Sequence, residues 1–359
     1  MITKFADVFA ELKEKGICKK MVAAWAVDEH TIEACAKASE MGFVKVTLVG
    51  DKNLIAETCT KLGIDVEQFD VVNEPVELKA VAKAVQMVHD GDGDVLMKGL
   101  CSTDKFLRAI LNKETGLLPP KGVLSHVGVI ENPNYHKLMF ISDMAVIPLP
   151  DFRQKVKIAG YLVGVAKSFG IAKPKLAFIA ASEQMLDSMP ACVEAAQLAK
   201  MCDRGQIKGC VADGPLALDV AIDQESVEIK KLVSPVAGDA DCLQFPNIES
   251  ANVFWKTNSK LANGVRQAGM LVGTTAPCVL ASRADSVDTK PTGEWTRTGT
   301  FAGTSALVKY FPDGECWVFI SNTSTYKGPG LAKHTTELFE ALRARHSSRF
   351  PLRNMFYSY

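Results

Sequence analysis

Residues Asp94–Leu111 read DVLMKGLCSTDKFLRAIL. The segment opens as a short apolar run with the character of a buried strand. It closes with Phe106, Leu107, Ile110 and Leu111 at the spacing of an amphipathic helix. Lys98, Gly99, Ser102 and Thr103 stand at the joint. Thr103 suits an N-cap with Asp104 just inside the helix. A lysine and hydroxyls at the top of a strand, ahead of a helix N-terminus, also make a place for an anion. The joint therefore reads either as a capped helix or as part of a binding site.

The same strand-to-helix grammar runs through most of the chain. MVAAWAV (21–27) precedes a helix over about 31–42, and VKVTLVG (44–50) precedes one over about 53–62. KLMFIS (137–142), KLAFIAA (175–181) and GCVADG (209–214) are later strands, each followed by a helical stretch. Runs that are apolar on both faces and joined by helices predict an α/β fold built on a parallel sheet covered on both sides. Ligands of such sheets collect at the carboxyl ends of strands.

Composition narrows the function. The chain has 359 residues, which favours two domains over one. Lys+Arg and Asp+Glu both total 41, so there is no basic field for nucleic acid or an anionic membrane. No apolar run reaches bilayer-spanning length, and MITKFADVFAELKEKG (1–16) reads as an amphipathic helix rather than a signal peptide. The ten cysteines stand singly without metal-ligand spacing. They read as reduced thiols of a cytoplasmic protein.

Three more joints end in polar residues. VADGPLALDVAI (211–222) carries Asp213-Gly214-Pro215 and then Asp219. VAGDADCLQFPNIESANVFWK (236–256) places Asp239 and Asp241 before a short strand, then Asn247, Glu249, Ser250 and Asn252 at a helix start. APCVLASRADSVDTK (276–290) ends an apolar strand in Ser282-Arg283, followed by Asp285 and Asp288. Each alone is ordinary turn chemistry. Four together, two with a cation, point to a shared anion site. GxGxxG and GxxxxGK[ST] are both missing, so a nucleotide reading lacks its usual support.

At these joints the sequence resembles the phosphate acetyl/butyryltransferase family, on its phosphate butyryltransferase side. The segments that carry the resemblance are LMKGLCST (96–103), SDMAVIPLP (142–150), DGPLALDVAI (213–222), GDADCLQFPNIESANVFWK (238–256) and VLASRADS (279–286). It covers about residues 1–290. The resemblance implies reversible transfer of a short-chain acyl group between coenzyme A and inorganic phosphate, with acyl phosphate as the other product. Coenzyme A is then a substrate, and no cofactor or metal is implied. It also implies a two-domain α/β fold with an interdomain cleft, of the isocitrate/isopropylmalate dehydrogenase-like type. Residues 1–129 and 269–290 would form the first domain and 130–268 the second, in a homodimer or higher homo-oligomer.

By the same resemblance Arg283 clamps phosphate, Ser282 hydrogen-bonds the reacting acyl group, and Asp288 acts as base toward the thiol, with Asp285 as the other choice. The chemistry suits these types: a guanidinium fork holds phosphate, and a tetrahedral oxyanion needs donors. A thiol with a pKa of about 8.5 benefits from a base. Lys98, Thr103, Arg108, Ser125 and Asn247 are the candidate substrate-binding residues. Arg108 matches an arginine five residues past Thr103 in the acetyl enzymes, and otherwise reads as a solvated helix position. Ser125-His126 is read as part of another loop, with the histidine equally suited to a structural role.

The resemblance stops near residue 290. Pro291 and Gly293 interrupt the expected closing helix, and aromatic residues crowd into 293–359. TSALVKY-FPDGE-CWVFIS (304–321) predicts a β-hairpin turning at Asp313-Gly314. GLAKHTTELFEALRARH (330–346) predicts a helix with Leu331, Leu338, Phe339 and Leu342 on one face. TGTFAGTSALVKYFPDGECWVFISN (298–322) resembles the late strands of serine β-lactamase-like hydrolases, with Arg297-Thr298-Gly299 in place of their Lys- or His-Thr-Gly. The Tyr-x-Asn motif of those hydrolases is missing from the sequence. Residues 291–359 are thus either an appendage or a join between unrelated coding segments. Two other readings stand beside the transferase. One is a nicotinamide-dependent hydroxy-acid dehydrogenase of related fold, needing a facing Lys and Tyr where the first 300 residues hold only Tyr135 and Tyr161. The other is a fused chain that binds coenzyme A or phosphate without turnover.

Overall fold

The structure is a computed structural model that describes residues 2–280 and the backbone of three later strands. The chain divides into two compact units, residues 1–287 and 288–359. In the first, α1 (Phe5–Glu14) leads to β1 (Lys19–Ala24), α2 (Glu29–Glu40), β2 (Val44–Gly50), α3 (Lys52–Leu62), β3 (Asp70–Asn73), α4 (Glu77–His89), β4 (Val95–Lys98) and α5 (Thr103–Ile110). Then come β5 (Ser125–Glu131), β6 (Met139–Ser142), α6 (Phe152–Ser168), β7 (Lys175–Ile179), α7 (Pro190–Asp203), β8 (Val211–Leu216), α8 (Leu218–Ile222) and α9 (Gln224–Lys230). β9 (Cys242–Gln244), α10 (Ile248–Leu261), β10 (Arg266–Val272) and β11 (Cys278–Val279) complete it.

The predicted alternation of strands and helices is present. Local chemistry accounts for the boundaries: Asp28 caps α2, Asp51 caps α3, and Gly63 ends α3 in the left-handed conformation that glycine adopts without strain. At the opening joint the cap is Ser102, whose hydroxyl accepts from the Lys105 amide at 3.3 Å. Thr103 is therefore the first helical residue and not the cap. Asp213, Gly214 and Pro215 lie inside β8 and not at its end.

All eleven strands join one sheet in the order β3-β2-β1-β4-β11-β10-β5-β6-β9-β7-β8. β3, β2, β1, β4 and β11 are mutually parallel, as are β6, β9, β7 and β8. The contacts β11–β10, β10–β5 and β5–β6 are antiparallel. Three reversals in succession make the two parallel blocks run in opposite directions. The sheet is thus mostly parallel, with an antiparallel ribbon at its centre that the alternation of strands and helices did not predict. Ser125 and His126, expected in a loop, open β5 and are buried.

The core follows this division. One pair of apolar clusters is built on β1, β2 and β4 with α2, α3, α4 and α5, including Ile32, Leu48, Leu96 and Phe106. The other pair is built on β6, β7 and β9 with α6, α7 and α10, including Phe140, Leu162, Phe178 and Leu243. Lys137 pairs with Asp239 at 2.8 Å and Asp241 at 2.7 Å, and Lys175 pairs with Asp239 at 2.7 Å. These pairs tie the amino ends of β6, β7 and β9 together. Among the described residues no helix is long and apolar enough to cross a membrane.

The second unit contains β12 (Trp295–Phe301), β13 (Thr304–Tyr310) and β14 (Cys316–Ser321) as an antiparallel sheet. The β13–β14 pairing is the expected hairpin. Its turn and the helix expected over 330–346 lie outside the described residues.

The opening segment generates a stability test. Gly99 leaves β4 so close to the neighbouring strand that a Cβ would lie 2.4 Å from the Trp25 carbonyl oxygen and 2.7 Å from that of Ala24. The Gly99 and Leu100 amides donate to these same two carbonyls, to Ala24 at 2.9 Å and to Trp25 at 3.0 Å. Backbone cannot yield as a side-chain tip does. Gly99→Ala should cost about 1–3 kcal/mol, read as a lowered urea midpoint at unchanged slope. An unchanged midpoint would show that the joint tolerates a methyl group.

Candidate functional site

A cavity of about 960 Å³ opens at the carboxyl ends of β4 and β11 and along the β5–β10 ribbon. Its lining includes successive residues of the ribbon, so it reaches round both faces. Side chains alternate along a strand: Val127 and Val129 belong to one cluster, while Ile130 belongs to the cluster on the opposite face. His126 and Gly128 share the face of Ile130. That face also meets Lys98, Ser102 and Thr103 on one side and α10 on the other.

The cation at the polar end is Lys98, only 4% exposed, with its ammonium 3.2 Å from the Gly99 carbonyl. Beside it, the first turn of α5 presents amides that are unpaired within the helix, the usual receptor for an anion. A buried ammonium beside these amides gives this end of the cavity a positive character that suits a negatively charged ligand. Lys256 of α10 lines the same cavity.

The other wall comes from one face of α10, where Ile248, Asn252, Trp255 and Lys256 recur at helical spacing. Asn247 caps that helix, accepting from the Ser250 amide at 3.0 Å and the Ser250 hydroxyl at 2.7 Å. Asn252 donates to the Met144 carbonyl at 2.9 Å, and Gln267 donates to the Trp255 carbonyl at 3.1 Å. These bonds fasten α10 to the Met144 segment and to β10.

Beneath Met144 lies a buried carboxylate. Asp143 accepts from the amides of Ala145 at 2.9 Å, Val146 at 3.0 Å and Ile147 at 3.1 Å, and from the Ser125 hydroxyl at 3.0 Å. Burial pushes its carboxyl above the usual range, and the four donors offset only part of that. The Ser142 hydroxyl completes the set by donating to the His126 carbonyl at 2.8 Å. Ser125 thus serves Asp143 and is not among the residues lining the cavity.

The predicted residues separate accordingly. Lys98 and Thr103 line the cavity together. Ser125 and Asn247 support its walls. Arg108 is 79% exposed on α5 and pairs with Asp104 at 2.9 Å, an i,i+4 contact. Ser282, Arg283, Asp285 and Asp288 lie outside the described residues; Leu280, the last described residue before them, lines the cavity. Tyr135 donates to the Ala240 carbonyl at 2.7 Å, and neither it nor Tyr161 lines the cavity. Among the described residues no group of three or more His, Cys, Asp or Glu is placed to hold a metal ion. Met144, Trp255 and Gln267 were not anticipated; helical spacing from Ile248 was the available signal for Trp255.

His126 supplies a pH test. Its ring is buried against Met144, and burial holds its pKa down at about 4 from an ordinary 6.5. A folded-state pKa below the unfolded one means stability is complete above about pH 6.5 and is lost as pH falls through about 4. The full difference corresponds to the order of 3 kcal/mol. Urea unfolding between about pH 7 and about pH 4 should show this loss in the wild type and less of it in His126→Gln. Equal acid losses in both would show that His126 does not carry it.

With this geometry in place, comparison with known proteins assigns the family. Residues 65–291 match the family model described as phosphate acetyl/butaryl transferase. The chain is 45% identical over 290 residues to a phosphate butyryltransferase of Clostridium acetobutylicum, covering 81% of this chain and 95% of that one. It is 37% identical over 276 residues to a phosphate acetyltransferase of Thermotoga maritima, covering 77% and 93%. Among solved structures, a branched-chain phosphotransacylase from Enterococcus faecalis V583 aligns with a TM-score of 0.67 and 28% identity, covering 74% of this chain and 93% of that one. The protein whose cavity joins Lys98, the start of α5 and the face of α10 therefore belongs to the phosphate acetyl/butaryl transferase family.

Proposed function

We propose that this chain is an acyltransferase that moves a short-chain acyl group between coenzyme A and inorganic phosphate. The observation that carries the reading is the match to a phosphate butyryltransferase across 95% of that protein's length. The buried Lys98 at the anion-receptive start of α5 supports it independently. Coenzyme A is a substrate in this reading, and no cofactor is required.

In the direction of acyl phosphate synthesis, a phosphate oxygen attacks the thioester carbonyl and gives a tetrahedral oxyanion. Collapse expels the coenzyme A sulfur, which leaves as a thiolate or takes up a proton. Lys98 and the α5 amides would neutralise phosphate charge as the nucleophile approaches. Arg283 would clamp the phosphate by its planar fork, and Ser282 would hydrogen-bond the acyl oxygen. Asp288, or Asp285 in its place, would take the thiol proton in the reverse direction. These four assignments rest on the family resemblance.

The same reading treats the two parallel blocks as two lobes of the isocitrate/isopropylmalate dehydrogenase-like type, 1–129 with 269–290 and 130–268. The sorting of the apolar clusters on either side of the ribbon supports that division. A cytoplasmic homodimer is the expected setting.

Purified protein given butyryl-CoA and phosphate should release free thiol only when phosphate is present, without metal or nicotinamide. Thiol release indifferent to phosphate would mean hydrolysis and reject the assignment. Arg283→Ala should lower kcat/KM on the order of a hundredfold, and Arg283→Lys should weaken phosphate binding while keeping the charge. Full activity in Arg283→Ala would place the phosphate clamp elsewhere.

A further inference from the structure

The sheet register places the polar end of the cavity in line with two bare backbone positions. Gly269 of β10 pairs with Gly128 of β5, and Met270 with Val127. Met270 also pairs with Val279 of β11, which pairs with Met97 of β4. Continuing each pairing by one residue puts Lys98, Leu280, Gly269 and Gly128 in a single row across four adjacent strands. Neighbours in such a row face the same side. At about 4.8 Å per strand, Lys98 and Gly269 are separated by roughly 10 Å of backbone.

At the far end of that row the glycines are covered by rings. A Cβ on Gly269 would lie 2.6 Å from His126 Cε1, and one on Gly128 would lie 2.4 Å from Trp255 Cζ3 and 2.8 Å from Met144 Cε. The His126 and Trp255 rings meet edge to face, with centroids 6.5 Å apart and planes at 88°. His126 is buried against the Met144 sulfur. Trp255 is held from behind by Gln267, and Met144 by Asn252. The result is an apolar wall, pinned at both edges, facing a buried cation along the row.

Resting on the acyl-transfer reading, we infer that His126, Met144 and Trp255 form the end wall of the acyl pocket and set the longest acyl group the enzyme accepts. An acyl phosphate with its phosphoryl group at Lys98 and α5 directs its alkyl tail along Leu280 toward this wall. The tail is apolar, as is the wall, and neither needs a hydrogen bond from the other. Gly269 and Gly128 are the positions where the rings sit down on the sheet, so they fix how far the wall stands from Lys98. Truncating Trp255 opens the wall, whereas adding a methyl group at Gly269 lifts the His126 ring off the sheet and into the cavity.

The test is a chain-length profile of phosphate-dependent thiol release from acetyl-, butyryl- and hexanoyl-CoA. Each further methylene buried is worth about fourfold. Trp255→Leu, by admitting two more methylenes, should therefore raise the hexanoyl-to-butyryl ratio of kcat/KM by about fifteenfold, with the KM for phosphate unchanged. Gly269→Ala should move the profile the other way and lower the butyryl-to-acetyl ratio. Trp255→Phe, a milder change read alone if Trp255→Leu does not fold, should give a smaller shift in the same direction. Folded Trp255 variants with the wild-type profile, or uniform losses across all three substrates, would overturn the inference. Wild-type thiol release independent of phosphate would instead reject the acyl-transfer reading and the inference with it.

Discussion

The antiparallel pairing of β5 with β10 is the constraint on which the first unit depends. Each of the two parallel blocks is a familiar solution in which helices cover a sheet on both faces. They run in opposite directions, and the β5–β10 ribbon, antiparallel to the strand on each side, joins them through continuous hydrogen-bonded pairing. Seven register pairs from Arg266↔Glu131 to Val272↔Ser125 make that join. The pairing of Gly128 with Gly269 matters within it because each leaves its face open to a ring from elsewhere. Side chains at these two positions would lift Trp255 and His126 off the sheet and move α10 with them.

Around the ribbon, buried polar groups are arranged so that each meets partners. Asp143 collects three amides and a hydroxyl, which suits a carboxylate withdrawn from water. Such a group contributes little net stability, but removing its donors leaves a charge without compensation. The function of the set is therefore positional. It holds the Met144 segment against the ribbon, and Asn252 ties α10 to the same segment. Lys98 lines the cavity, where its charge lies close to any ligand held there.

The same contrast separates Lys98 from Arg108. Both are cations near α5; Lys98 was a candidate from its place at the joint and Arg108 from the family resemblance. Lys98 ends a central strand, where desolvation magnifies its field. Arg108 points outward from the helix and is engaged by Asp104 four residues earlier, in solvent where such pairs are weak. A residue's chemical type is readable from the chain, but the dielectric around it is a property of the assembled fold.

Much of the first unit was legible because its signals are local. Apolar runs marked the strands, helical spacing marked the helices, and Asn247 stood at the start of α10, while the cap of α5 proved to be Ser102 and not Thr103. The strand-to-helix joint at Lys98 was likewise visible as an anion-receptive feature, because its parts are consecutive. The reversal of direction at β5 and β10 was not visible, since the hydrogen-bond partners of a strand lie far away in the chain and alternation is the same for either direction. Nor was the wall of His126, Met144 and Trp255, whose members come from a strand, a loop and a helix and meet only over the bare backbone of Gly128 and Gly269. The sequence alone determined the elements and the kind of chemistry at their ends. Tertiary structure decided which ends face one cavity, because burial and register are set by contacts between segments that no local pattern encodes.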